Sequence, residues 1–141
     1  MPYALTWEPP NGACRTFTGL VTSRDLIDAL VELTSARQFD DLRYSISIFA
    51  GVTGLETDRS TLEDMAAIDY GAYAWNARFV SAIVAEQKLV AQLLSRFEGL
   101  TVSRIPRQLF TNEADARAWI ASVLSGGQPA IAQAARGAVA P

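Results

Sequence analysis

The sequence predicts an α/β domain in which strands and helices alternate after an opening hairpin. The clearest unit runs from Leu42 to Asn76, where the β-rich segment RYSISIFA is followed by two glycines and then by a helix. Similar units precede and follow it, so the predicted order is β-β-α-β-α-β-α-β-α. The chain has 141 residues, 50% of them hydrophobic, which is enough to bury the core of one domain. Right-handed crossovers would give a mixed, mostly parallel sheet of five strands with four helices.

The opening hairpin and the first helix are predicted from turn and capping residues. Tyr3 to Glu8 alternates apolar and polar residues. Pro9-Pro10-Asn11-Gly12 is typical of a turn, and Cys14 to Gly19 returns as an antiparallel strand. Thr22 then begins a helix, with Asp25 at the spacing of a capping box.

The remaining elements follow as three further units. Arg43 to Ala50 is a strand, the glycines of Gly51-Val52-Thr53-Gly54 break it, and Ser60 opens a helix that ends near Asn76. Arg78 to Ala85 is an apolar strand, and a further helix begins at Glu86.

The last unit comprises a short strand at Gln108 to Phe110 and a helix capped by Asn112, with Trp119 facing inward. From Ser125 onward the chain is rich in Gly, Ala and Pro. We therefore expect a domain over residues 1–124 and a flexible tail over 125–141.

Composition excludes several classes of function. The net charge is −3 and the basic residues are scattered, so we expect no nucleic-acid partner. With no histidine and a single cysteine, Cys14, the chain lacks the usual general base and zinc ligands. Cys14 is predicted to be a small buried apolar residue. We expect no enzyme activity, no metal, no cofactor, no membrane span and a cytoplasmic location.

Three segments carry a resemblance to a known family: YSISIFAGVTGL, RFVSAIVA and LFTNEADARAWI. Together with the element order, they resemble the STAS or anti-sigma-factor-antagonist domains, and more closely the SpoIIAA-like group of small bacterial proteins. The resemblance covers about residues 3 to 124. It implies a non-enzymatic regulatory or binding module that acts through protein–protein contacts.

The same resemblance points to Thr53 as a possible phosphoacceptor. Antagonists of the family carry a phosphorylatable Ser or Thr followed by Gly-Leu, which Thr53-Gly54-Leu55 matches. Gly51 stands where the family pattern has an Asp. From the residues alone, Thr53 is a turn residue beside two glycines.

Two groups of charged residues are most simply interpreted as solvated surface. The first is an acidic stretch, which could perform acid–base chemistry or hold a hard cation, but which a solvated helix start mostly explains. Its members are Glu56, Asp58, Glu63, Asp64 and Asp69. Arg104 and Arg107 flank Pro106 and are predicted to form a solvated edge.

The helix after the third strand carries Tyr70, Tyr73 and Trp75, which cannot all face its own sheet. At least one of them should therefore lie outside the core. The simplest interpretation is a helix half-buried on its own sheet. We predict a homodimer that uses this helix, and the alternative function is a carrier that binds an apolar or lipid-like molecule beneath it.

Small hydroxyl residues lie on two of the predicted strands. Ser45 and Ser47 share one face of the third strand, and Ser81 lies on the fourth. Such a row favours close helix packing, with a partly polar hollow as the alternative.

Overall fold

The strands form one five-stranded sheet in a computed structural model that describes residues 2–86, 88, 92 and 105–126. Its order is sequential, from β1 to β5; β1 is antiparallel to β2, and each later neighbouring pair is parallel. The strands are β1 (Tyr3–Glu8), β2 (Gly12–Thr22), β3 (Tyr44–Glu56), β4 (Val80–Val84) and β5 (Arg107–Phe110). The predicted hairpin and the mixed, mostly parallel sheet are thus confirmed.

The described residues contain three α-helices rather than the predicted four. They are α1 (Ser23–Ser35), α2 (Arg59–Trp75) and α3 (Glu113–Leu124), and a 3₁₀ helix (Arg37–Asp41) follows α1. The helix predicted to begin at Glu86 falls on residues 87–104, most of which lie outside the described ranges. Most of the predicted tail, 127–141, also lies outside them. No helix within the described ranges is long and apolar enough to cross a membrane.

Side-chain caps set the start of each α-helix. The Thr22 Oγ1 accepts from the Asp25 backbone N–H, and the Asp25 carboxylate accepts from the Thr22 backbone N–H, which confirms the capping box. Asn112 caps α3 as predicted, accepting from the Asp115 backbone N–H at 2.8 Å. Helix α2 is capped by Asp58 rather than opened by Ser60, because the Asp58 carboxylate accepts from the Thr61 backbone N–H at 2.7 Å.

The predicted glycine turn after the third strand is wrong, since β3 continues through it to Glu56. The second half of β3 pairs with the second half of β2, which the sequence indicated as ending at Gly19. A β-carbon at Gly51 would lie 3.2 Å from Thr18 Cγ2, and one at Gly54 would lie 3.1 Å from Leu20 Cδ1. The two glycines therefore make room for side chains of the neighbouring strand.

The sheet is covered on both faces. Ala13 and Phe17 point toward α1 and α2, where they join clusters that include Leu26, Leu33 and Ala72. Cys14, the alternate residue, points to the opposite face, where α3 covers the sheet with Ala116 and Ile120. Cys14 is buried as predicted, and this burial raises the pKa of its thiol.

An ion pair joins the hairpin to α3. Arg117 donates to both carboxylate oxygens of Glu8, at 3.0 and 2.7 Å, and the Tyr44 hydroxyl donates to Glu8 at 2.7 Å. The hydrogen bond from Arg117 lowers the pKa of Glu8, and Tyr44 adds to the same effect. A side chain at Gly12 would overlap the Tyr44 ring, so glycine is required where the hairpin turns.

Candidate functional site

A cavity of about 100 Å³ lies between the sheet and the helices α1 and α2. Its helix side is mainly apolar and is formed by Leu26, Leu30, Leu33 and Met65. Its sheet side is unusually polar for a domain interior; the polar residues on this floor are Arg15, Ser45, Ser47, Ser81 and Arg107. Asp69 adds a carboxylate from α2.

Parallel pairing brings these floor residues together from four strands. Ser45 of β3 lies opposite Ser81 of β4, and Ser81 lies opposite Arg107 of β5. Arg15 of β2 lies opposite Ser47, two residues along the same face of β3. The polar floor is therefore two neighbouring rows across the sheet.

The Asp69–Arg107 ion pair closes one side of the cavity. The Arg107 Nη2 lies 3.1 Å from Asp69 Oδ1, and the two side chains are 21% and 7% exposed. This overturns two predictions, the solvated edge at Arg107 and the solvated position of Asp69 in the acidic stretch. Asp69 differs from the other acids because it lies on the inner face of α2, beside Ala66 and Ala72. Arg104 lies outside the described residues.

Arg15 reaches into the cavity from β2, and its Nη2 donates a hydrogen bond to Ser47 Oγ at 2.9 Å. Burial lowers the pKa of Arg15 to about 10, and repulsion from Arg107 adds to this effect while Asp69 opposes it. The guanidinium stays protonated at neutral pH. Among the described residues that line the cavity, two guanidinium groups thus face one carboxylate.

Three buried side-chain atoms within the described ranges have no hydrogen-bond partner, and all three belong to residues that line this cavity. They are Arg15 Nε, Ser45 Oγ and Asp69 Oδ2. Buried polar groups of folded proteins are almost always satisfied, because an unsatisfied one costs about 1–3 kcal/mol. The residues that line this cavity therefore carry buried polar atoms without a partner in the described structure.

The serine row therefore forms the partly polar hollow rather than the close packing that the sequence favoured. Arg15 lines the same hollow and was not among the residues predicted from the sequence. It occupies an inward position between Ala13 and Phe17, and period-two alternation along β2 would have revealed a charged residue on a buried face.

The aromatic residues of α2 separate as predicted. Tyr70 is 61% exposed and Trp75 is 74% exposed, although the Trp75 indole donates to Asp40 at 2.6 Å. Tyr73 instead packs on the core cluster of Leu33, Phe39 and Ala72. Only Tyr70 and Trp75 of the three are thus available to a partner.

Thr53 lies in β3 with its side chain exposed, not in a turn. It is remote from the polar floor, which the sheet places at the other end of β3. In the described part of the chain, no group of three or more potential metal ligands comes together.

The arrangement of the elements is that of a known fold. By structure the chain is similar to the anti-sigma factor antagonist SpoIIAA in its unphosphorylated form, with a TM-score of 0.57 and 7% identity over 88% of this chain and 98% of that one. The fold is SpoIIAA-like. At this identity the similarity concerns the fold alone.

A second SpoIIAA-like structure belongs to an uncharacterized protein of the DUF3478 family from Shewanella loihica PV-4. It is 13% identical over 84% of this chain and 91% of that one, with a TM-score of 0.46. No protein-family model and no curated protein sequence matches the chain.

Proposed function

We propose that this SpoIIAA-like chain is a cytoplasmic, non-enzymatic regulatory module that acts through protein–protein contacts on the outer face of α2. The observation that carries the proposal is the exposure of Tyr70 and Trp75, at 61% and 74%. Large aromatic residues are enriched at the centres of protein interfaces.

The residues around Tyr70 support a helix as the partner. Ala67, Tyr70, Gly71 and Ala74 are all exposed and follow the spacing of one helical face. A β-carbon at Gly71 would meet nothing within the described structure, so the fold itself does not require glycine there. Glycine inside a helix costs about 1 kcal/mol relative to alanine. A partner helix that approaches closely would explain why Gly71 occupies this position.

The proposed partner is a second copy of the chain. In a two-fold pairing, Tyr70 of one copy can cover Gly71 of the other, and the same contact then occurs twice. The expected result is a dimer of the 15.3 kDa chain in sedimentation velocity at tens of micromolar protein. A monomer at these concentrations contradicts self-pairing.

Matched variants locate the interface. Tyr70→Glu should produce the monomer, because it places a charge at the centre of the paired face. Leu20→Glu is the control, since Leu20 is also a large exposed residue, at 51%, but lies on β2. A dimer that survives Tyr70→Glu, or is lost in Leu20→Glu, uses another surface. Tyr73→Glu is not informative because Tyr73 packs on the core.

A carrier of a small molecule is the second candidate function, supported by the cavity beneath α2. The volume of about 100 Å³ is well below the roughly 300–1,000 Å³ of sites for drug-sized ligands, which argues against a lipid. Native mass spectrometry of the purified protein tests this candidate. A co-purifying molecule of low mass supports the carrier function, and protein with no bound molecule argues against it.

Regulation through Thr53 is also proposed, because its exposed hydroxyl is accessible to a kinase. A phosphate would add about −1.5 to −2 charges to an exposed strand. Peptide mapping of protein from its own cells tests this proposal, and a fully unmodified Thr53 under several growth conditions contradicts it.

A further inference from the structure

We propose that the cavity beneath α2 binds a small organic monocarboxylate, whose carboxylate contacts Arg15 and Ser45 and whose short apolar tail contacts α1. This rests on the carrier candidate and replaces an apolar ligand with an anionic one. It is independent of the outer face of α2, so the dimer measurements and the ligand measurements can fail separately.

The unpartnered donors identify the charge of the ligand. Arg15 Nε is buried and has no acceptor, although Nη2 of the same guanidinium is already bonded to Ser47. Ser45 Oγ, the second unpartnered group on the sheet side, can donate its proton. A planar carboxylate accepts hydrogen bonds from several donors at once. It also neutralises the charge of a guanidinium, which water and other neutral molecules cannot do.

The electrostatic environment favours one negative charge. The described lining residues carry two positive charges, on Arg15 and Arg107, and one negative charge, on Asp69. A buried charge without a counterion costs several kcal/mol, so a monoanion would complete the balance. A dianion would leave an excess of negative charge beside Asp69.

Cavity size and wall chemistry identify the rest of the ligand. One buried water needs about 10–15 Å³, so a volume of about 100 Å³ corresponds to roughly seven water molecules or a similar number of heavy atoms. The wall opposite the guanidinium is apolar, with Leu26, Leu30 and Met65. A three- or four-carbon aliphatic tail matches this space, and water can donate to Asp69 Oδ2.

Calorimetric titration of the full chain with sodium butyrate tests the proposal. Butyramide is the uncharged analogue of the same shape, and sodium phosphate is an anion without a tail; both are used at matched ionic strength. The expected result is saturable binding of butyrate and no binding of the other two. Equal binding of butyramide overturns recognition of the charge. Binding of phosphate without butyrate overturns the carboxylate class, and no saturable binding means that the cavity holds water only.

Variants assign the binding to the cavity. Arg15→Met should weaken butyrate binding about 10- to 100-fold, the loss expected for one charge-assisted hydrogen bond. Ser45→Ala provides a second test that preserves the charge, and it should also weaken binding. Arg24→Met removes an arginine from the exposed surface of α1, where the side chain is 85% exposed, and should leave binding unchanged. The assignment is wrong if Arg24→Met weakens binding as much as Arg15→Met, or if Ser45→Ala and Arg15→Met both bind like the wild type.

Discussion

Replacing Asp69 with asparagine should strongly destabilise the protein. Two unit charges at the observed 3.1 Å separation attract by about 5 kcal/mol at an effective dielectric constant of about 20. Removal of one partner of a buried pair typically costs about 3–5 kcal/mol, because it leaves a buried charge without its counterion. We expect about 3 kcal/mol for Asp69→Asn, since the amide oxygen can still accept a hydrogen bond from Arg107.

Urea denaturation followed by circular dichroism measures this loss. With a slope of about 2 kcal/mol per molar, 3 kcal/mol lowers the midpoint by about 1.5 M. Asp28→Asn is the matched control, because it makes the same chemical change in the exposed Arg24–Asp28 pair, where the side chains are 85% and 48% exposed. An exposed pair of this kind contributes about 0.5 kcal/mol or less, which is a shift of about 0.25 M.

The double variant Asp69→Asn/Arg107→Met separates charge from packing. It removes the guanidinium that the single variant leaves without its carboxylate, so it should be more stable than Asp69→Asn alone. If Asp69→Asn unfolds at the midpoint of Asp28→Asn, the Asp69–Arg107 pair is screened by solvent and the buried polar floor has been misinterpreted.

Three further outcomes are expected in the same denaturation assay. Ser45→Ala should leave stability unchanged or raise it by up to about 1 kcal/mol, because it removes an unsatisfied hydroxyl; a clear loss would mean that the hydroxyl is bonded. Trp119→Ala should cost about 3 kcal/mol, the low end for a tryptophan, because Trp119 is half-buried against Phe110 with ring centroids 5.7 Å apart. Because Arg117 lowers the pKa of Glu8, their ion pair stabilises the fold at pH values above the ordinary pKa of a carboxyl group. The stabilisation is lost as the pH falls through the lowered pKa. Glu8→Gln should therefore weaken the loss of stability that occurs as the pH falls below the ordinary carboxyl range, and an unchanged pH profile would contradict this role.

The elements that depend on neighbouring residues in the chain were predictable from the sequence. The capping box at Thr22 and the cap at Asn112 each involve residues three positions apart. The spacing in the sequence therefore predicts the hydrogen bond directly. The opening hairpin is equally local, because its turn residues determine where the chain reverses.

The continuation of β3 was not predictable in this way. The two glycines indicate a turn when they are considered alone, but their role depends on Thr18 and Leu20 of the neighbouring strand. The polar floor is a stronger case, because Arg15, Ser81 and Arg107 come from three strands that are distant in the chain. Only the register of the sheet brings them together, and local periodicity does not contain that register.

The position of α3 has a consequence for the protein during its synthesis. The sheet face that includes Cys14, Ile46 and Val84 is covered by Ala116 and Ile120, which the ribosome makes after the whole sheet. Arg117 likewise reaches Glu8 across 109 residues of chain. A nascent chain can therefore form the hairpin early, yet it exposes an apolar sheet face until α3 emerges. Incomplete chains that end before residue 113 should consequently be prone to aggregation and should depend on chaperones.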